Sequence, residues 1–119
     1  MLTAKGGLRP LFGPVMANAF YMAYKSGVKI AFGTDSGVSD HGLNGQELLL
    51  MVKAGMSEKD VLISATVNAA ALLGISDIIG TLEKGKSADI IAASGDPLKD
   101  ISTLLNPSFV MVRGKVAVK

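Results

Sequence analysis

Gly27-Val28-Lys29-Ile30-Ala31-Phe32-Gly33-Thr34-Asp35-Ser36-Gly37-Val38-Ser39-Asp40-His41-Gly42-Leu43-Asn44-Gly45 is the stretch on which the chain turns. Val28 to Phe32 is a short, mostly apolar run rich in β-branched and aromatic residues, which reads as a buried strand. Gly33-Thr34-Asp35-Ser36-Gly37 breaks that pattern. A polar, glycine-rich loop follows with Asp40 and His41, the only histidine in the sequence, and then a helix begins. Strand, loop bearing carboxylate and imidazole, then helix is how α/β enzymes aim reactive side chains from a rigid strand end into a crevice.

On the N-terminal side, Met1 to Pro14 carries Gly6-Gly7, Pro10, Gly13 and Pro14 and reads as loop. Val15 to Lys25 is a helix, with a broad apolar face (Val15, Met16, Ala19, Phe20, Met22, Ala23) and Gly27 at its C-terminal stop. On the other side, Asn44 and Glu47 form a reciprocal capping pair, with Leu43 and Leu48 as the flanking apolar contact. Leu48 to Val52 is apolar all round, so this helix expects neighbours on several sides. Gly55 ends it. Ser57 and Asp60 mark a further start, and the helix runs to about Leu73, stopped by Gly74.

Beyond Gly74 the period becomes extended. Ile78 to Leu82 leads to a turn at Glu83-Lys84-Gly85-Lys86. Ala88 to Ala93 reads as a strand. Phe109–Val112 and Lys115–Val118 flank Arg113-Gly114 as a hairpin. A single parallel-type strand cannot form a sheet by itself and needs neighbours on both edges. The first half therefore reads as one slice of a larger α/β body.

The composition narrows the function. The 119 residues are 49% apolar and 18% charged, a core-forming balance. The net charge is +2 with no Lys/Arg cluster, so nucleic acid has no electrostatic footprint to bind. With no cysteine there is neither a disulfide framework nor a thiolate metal site. Apolar runs fall short of the about 20 residues of a membrane span, and the N-terminus lacks a signal peptide's apolar core. A soluble, cytoplasmic protein is the expectation.

The residues from Gly27 to Gly37 resemble the last barrel strand of the amidohydrolase superfamily of metal-dependent hydrolases. His41-Gly42, Glu47-Leu48 and Met51 to Ser57 are similar to the branch holding imidazolonepropionase-like enzymes and Xaa-Pro or Xaa-Arg dipeptidases. Ala65-Thr66, Asn68-Ala69-Ala70 and Leu72-Leu73-Gly74 fit the helix that follows. Ile79 to Ile90 looks like the return into that family's small β-sandwich, which Asp96-Pro97-Leu98 and Val112 to Lys115 complete. The resemblance implies an α/β fold: the last βα unit of a (β/α)8 barrel plus C-terminal strands of the sandwich. Residues 1–74 would be the barrel segment and 75–119 part of the composite sandwich. A complete barrel takes about 250 residues, so the barrel here is incomplete.

The same resemblance gives Asp35 the role of metal ligand, typically to zinc, and of general acid/base in hydrolysing a C–N bond of a dipeptide or cyclic amide. It makes His41 a residue lining the substrate pocket. The first-strand His-x-His motif, the bridging lysine and two later histidines are absent. The implied metal would not be retained by this chain alone, and the chain alone would be inactive. Its partner would be a missing N-terminal barrel portion, or a second copy. A non-catalytic assembly or binding module, or half of a split enzyme, is the alternative. Without the resemblance, Asp35 reads as a turn aspartate satisfying backbone donors and His41 as a solvated loop residue. Ser36, Ser39, Asp40 and His41 lie too close in sequence for a triad, and the glycines lack the spacing and lysine of a phosphate loop. Glu47 reads as a helix cap, and Asp89, in a strand, as a residue of turn or packing chemistry in the β unit.

Overall fold

The computed structural model describes residues 9–34 and 44–118. Four helices come first: α1 (Arg9–Lys25), α2 (Gln46–Lys53), α3 (Glu58–Ala65) and α4 (Val67–Leu73). Three short strands follow, β1 (Ile90–Ala92), β2 (Phe109–Val112) and β3 (Lys115–Val118), with a 3-10 turn, Ile101–Leu105, between the first two.

Helix α1 starts six residues before the expected Val15 and takes Pro14 into its body. Pro10 sits in the first turn, where a backbone N–H has no helical partner to lose; Pro14 forgoes one bond. The pattern of breakers concealed this. Helix α2 does not use the expected capping pair. Gly45 is its cap residue, and no side chain bonds to the helix end. Instead the Asn44 backbone carbonyl accepts the Glu47 N–H at 3.2 Å. The start of α3 is as expected: Ser57 Oγ accepts the Asp60 N–H at 3.2 Å.

The long helix expected from Ser57 to Leu73 is broken at Thr66, whose φ of −124° and ψ of −84° are not helical. The Thr66 hydroxyl donates to the Leu62 carbonyl at 2.7 Å, competing with the helix ladder. Gly74 closes α4 in the left-handed conformation, φ +72°.

The sheet is antiparallel in the order β1-β2-β3. Ile90, Ile91 and Ala92 pair with Met111, Val110 and Phe109. Between β2 and β3 the pairs are Val110–Val118, Met111–Val116 and Val112–Lys115, with a bulge at Val110/Met111. The hairpin has the expected bounds. Its turn residues Arg113 and Gly114 both have positive φ, +49° and +77°, as a two-residue turn matching strand twist requires. Strand β1 is shorter than the expected Ala88 to Ala93, and Ile78 to Leu82 joins no sheet.

The core is Leu48, Met51, Met56, Val61 and Ile101, with Phe20, Tyr24, Ile30 and Phe32 packed against it. Helices α1 to α3 and the 3-10 turn thus close over one small cluster. Much apolar surface stays outside it: Met16 is 70% exposed and Leu72 77%. The chain exposes 8757 Å², where a compact monomer of this size exposes about 6100 Å². The radius of gyration is 15.7 Å, against about 13.5 Å for a compact chain of this length. No helix among the described residues is long and apolar enough to cross a membrane.

Candidate active site

Residues 28–34 form no sheet ladder among the described residues, so the expected strand has no strand beside it there. Helix α1 delivers the chain to this segment through Gly27 at φ +81°, and the Val28 N–H donates to the Ala23 carbonyl at 3.1 Å. Further on, the support comes from the α3–α4 junction. The Phe32 N–H donates to the Ser64 carbonyl at 3.0 Å. Asn68 Nδ2 donates to the Ile30 carbonyl at 2.8 Å, across 38 residues of sequence.

Ser64 is fully buried, and its hydroxyl donates to the Val61 carbonyl at 2.6 Å. The break at Thr66 lies between Ser64 and Asn68, the two residues that reach the segment. Sequence reasoning missed Asn68 as a contact. The available signal was a lone amide within the apolar run Val67 to Leu73.

Asp35 and His41 lie outside the described residues, as do Ser36, Ser39 and Asp40. Asp35 follows Thr34 directly in the chain. Among the described residues no group of three His, Cys, Asp or Glu side chains could hold a metal ion. A carboxylate at Asp35 suits a divalent cation as one ligand. With one histidine and no cysteine in the sequence, the imidazole-rich set that zinc favours is not supplied by these residues.

Glu47 makes no cap bond to α2 and borders an apolar groove of about 740 Å³ between α1 and α2, with Phe20, Leu50 and Met51. Asp89 serves the β unit, as expected: its Oδ1 accepts the Arg113 N–H at 2.8 Å. The Gly114 N–H donates to the Ala88 carbonyl at 3.0 Å, so the hairpin turn is fastened onto the residues before β1. The Arg113 amide, and then the Ser87 hydroxyl, hold the Asp89 carboxyl below the usual carboxylate range.

Asp60 ties α1 to α3. Its Oδ2 accepts the Tyr24 hydroxyl at 2.6 Å and the Ser57 hydroxyl at 2.9 Å. Tyr24 first, then Ser57, lower the Asp60 pKa, against a smaller opposing effect of burial. A depressed native pKa stabilises the fold above the unfolded value of about 3.9, and that contribution is lost as pH falls through the native value. The urea midpoint should therefore drop between about pH 5 and pH 2, and Tyr24→Phe should make that drop shallower. An unchanged pH dependence in Tyr24→Phe would contradict this role for the pair.

These features place the chain among known proteins. The model of the amidohydrolase family matches residues 14–117, and the chain belongs to that family. It is 36% identical over 94 residues to ochratoxinase from Aspergillus niger, covering 77% of this chain and 19% of that protein. Against imidazolonepropionase from Thermoanaerobacter pseudethanolicus it is 37% identical over 78 residues, 63% of this chain and 19% of the relative. Among solved structures, a Xaa-Pro dipeptidase crystallised with methionine in its active site superposes with a TM-score of 0.86 at 46% identity. That match covers 90% of this chain and 26% of the dipeptidase chain. The fold class expected from the sequence is borne out: an α/β portion of an amidohydrolase barrel protein. The chain spans about a fifth to a quarter of the length of these relatives.

Proposed function

We infer that these residues form the C-terminal portion of the catalytic body of a metal-dependent amidohydrolase, with residues 1–74 in the barrel and 75–119 in the sandwich. The observation that carries this reading is the segment 28–34. It is held by α1 at Val28 and by the α3–α4 junction at Ile30 and Phe32, has no sheet neighbour among the described residues, and is followed in the sequence by Asp35.

In this reading Asp35 is one carboxylate ligand of a divalent metal, zinc by family resemblance. When bound, such a metal would supply the activation of water, lowering its pKa to about 7. The Asp35 carboxylate takes a proton from the attacking water and returns it to the leaving nitrogen. His41 borders the pocket. The other ligands and most of the pocket come from residues outside these 119, in a cytoplasmic enzyme acting on a small amide, and the 46% likeness to a Xaa-Pro dipeptidase favours a dipeptide. The large exposed apolar area favours a second reading as well, an assembly module or one half of a split enzyme.

The test is a chimera in which this chain replaces the matching quarter of the Xaa-Pro dipeptidase. It should release proline from Xaa-Pro dipeptides when zinc is supplied, while the 119-residue chain with zinc should release none. A chimera that melts cooperatively but hydrolyses neither dipeptides nor cyclic amides would overturn the catalytic reading. Turnover by the 119-residue chain, abolished by Asp35→Asn, would overturn its dependence on further ligands.

A further inference from the structure

An extended chain presents its hydrogen-bonding groups alternately to two edges, so Ile30 and Phe32 face one edge and Lys29, Ala31 and Gly33 the other. The first edge is occupied. Asn68 fills the Ile30 carbonyl, and the Ser64 carbonyl takes the Phe32 N–H. Both partners belong to the α3–α4 junction, on either side of the break at Thr66. On the second edge, the backbone groups of Lys29, Ala31 and Gly33 make no hydrogen bond among the described residues.

A helix normally has no free groups to offer a strand. Here two devices create them. The Thr66 break removes the Ser64 carbonyl from the regular ladder, and Asn68 substitutes a side-chain amide for the missing strand donor. Asn68 is half-buried within an otherwise apolar turn, where an amide with no partner would be costly. The 2.8 Å bond satisfies it and at the same time fixes the register of the segment against α4.

We propose that Asn68 is a positioning residue: it stands in for a sheet neighbour along the Ile30–Phe32 edge and so sets the backbone from which Asp35 departs. The edge this leaves open to a partner strand among the described residues is that of Lys29, Ala31 and Gly33. The positioning role rests on the catalytic reading of Asp35; the edge assignment does not.

The edge is tested in the 119-residue chain by amide hydrogen exchange. The Phe32 amide should be protected and the Ala31 amide unprotected. Asn68→Asp, which keeps the shape and replaces the donor with a second acceptor, should lower Phe32 protection at least about tenfold. An unprotected Phe32 amide in the parent chain, or protection unchanged by Asn68→Asp, would overturn the assignment. Positioning is tested in the chimera. Asn68→Asp should lower kcat by about 10- to 100-fold with KM within about twofold. Asp89→Ala, a change confined to the hairpin fastening, should leave kcat unaltered. If Asp35→Asn abolishes turnover while Asn68→Asp matches the parent kcat, the positioning role falls and the catalytic reading stands. If Asp35→Asn retains turnover, the catalytic reading falls, and exchange at Phe32 still decides the edge.

Discussion

Asp35→Asn in the dipeptidase chimera is expected to lower kcat by about 10³- to 10⁴-fold. The size of the effect follows from two losses at one atom. An amide is a poor ligand for a divalent cation compared with a carboxylate, and it cannot accept the proton of the attacking water. Either loss alone is worth about 10²-fold or more. Zinc content after dialysis should fall along with turnover, and an unchanged circular dichroism spectrum separates this outcome from a general defect. The thermal midpoint should move little. A variant within about tenfold of the parent kcat would show that Asp35 is the turn aspartate its glycine neighbours suggest.

The second large effect is on stability. Gly80→Ala is expected to cost about 2–4 kcal/mol. Gly80 has φ +98°, and a Cβ built there would stand 2.7 Å from the Ala70 Cβ and 3.2 Å from the Thr66 carbonyl oxygen. Neither neighbour can swing away: one is a methyl fixed to its own backbone, the other is main chain. Ala70 is buried, so the loop carrying Gly80 would have to lift off the α3–α4 junction. Gly85→Ala is the comparison. It has a similar φ of +94° with nothing within 4 Å, so it carries backbone strain alone, about 1–3 kcal/mol. Urea unfolding of the two variants should place Gly80→Ala lower by about 1 M. Equal midpoints would mean that the contact with Ala70 contributes nothing.

Local rules made part of this structure legible and long-range packing made the rest. The hairpin could be read because Arg113-Gly114 needs only its own two residues to form the turn. The Ser57 cap and the Gly74 stop are local in the same way. The start of α1 was hidden because Pro10 and Pro14 suggest a loop unless the position within the first turn is known. Asn44 offers its carbonyl rather than its side chain to α2, a choice that spacing alone does not make. The break at Thr66 depends on a hydroxyl turning back to Leu62, and its reward, the Ser64 carbonyl freed for Phe32, lies some thirty residues away in the chain.

The candidate site shows the same division. Val28 to Phe32 was recognisable as a strand by composition, yet a strand is defined by neighbours, and those do not lie among the described residues. The roles expected of Asp35 and His41 come from the family resemblance, and both residues lie outside the described ones. Asn68 was quoted in that resemblance, but nothing in its spacing revealed that it reaches Ile30. Asp89 reads from the sequence as a residue of turn or packing chemistry in the β unit; its partner, the Arg113 amide 24 residues on, is set by the sheet pairing and was not legible in the local sequence.

Zinc stoichiometry by elemental analysis, measured after exhaustive dialysis on the 119-residue chain and on the dipeptidase chimera, tests the central claim most directly. A negligible ratio in the chain alone, with at least about one zinc per chimera, is the predicted result, because Asp35 would be one ligand among several held elsewhere. A ratio near one in the 119-residue chain would contradict the account, since its own residues would then complete a metal site.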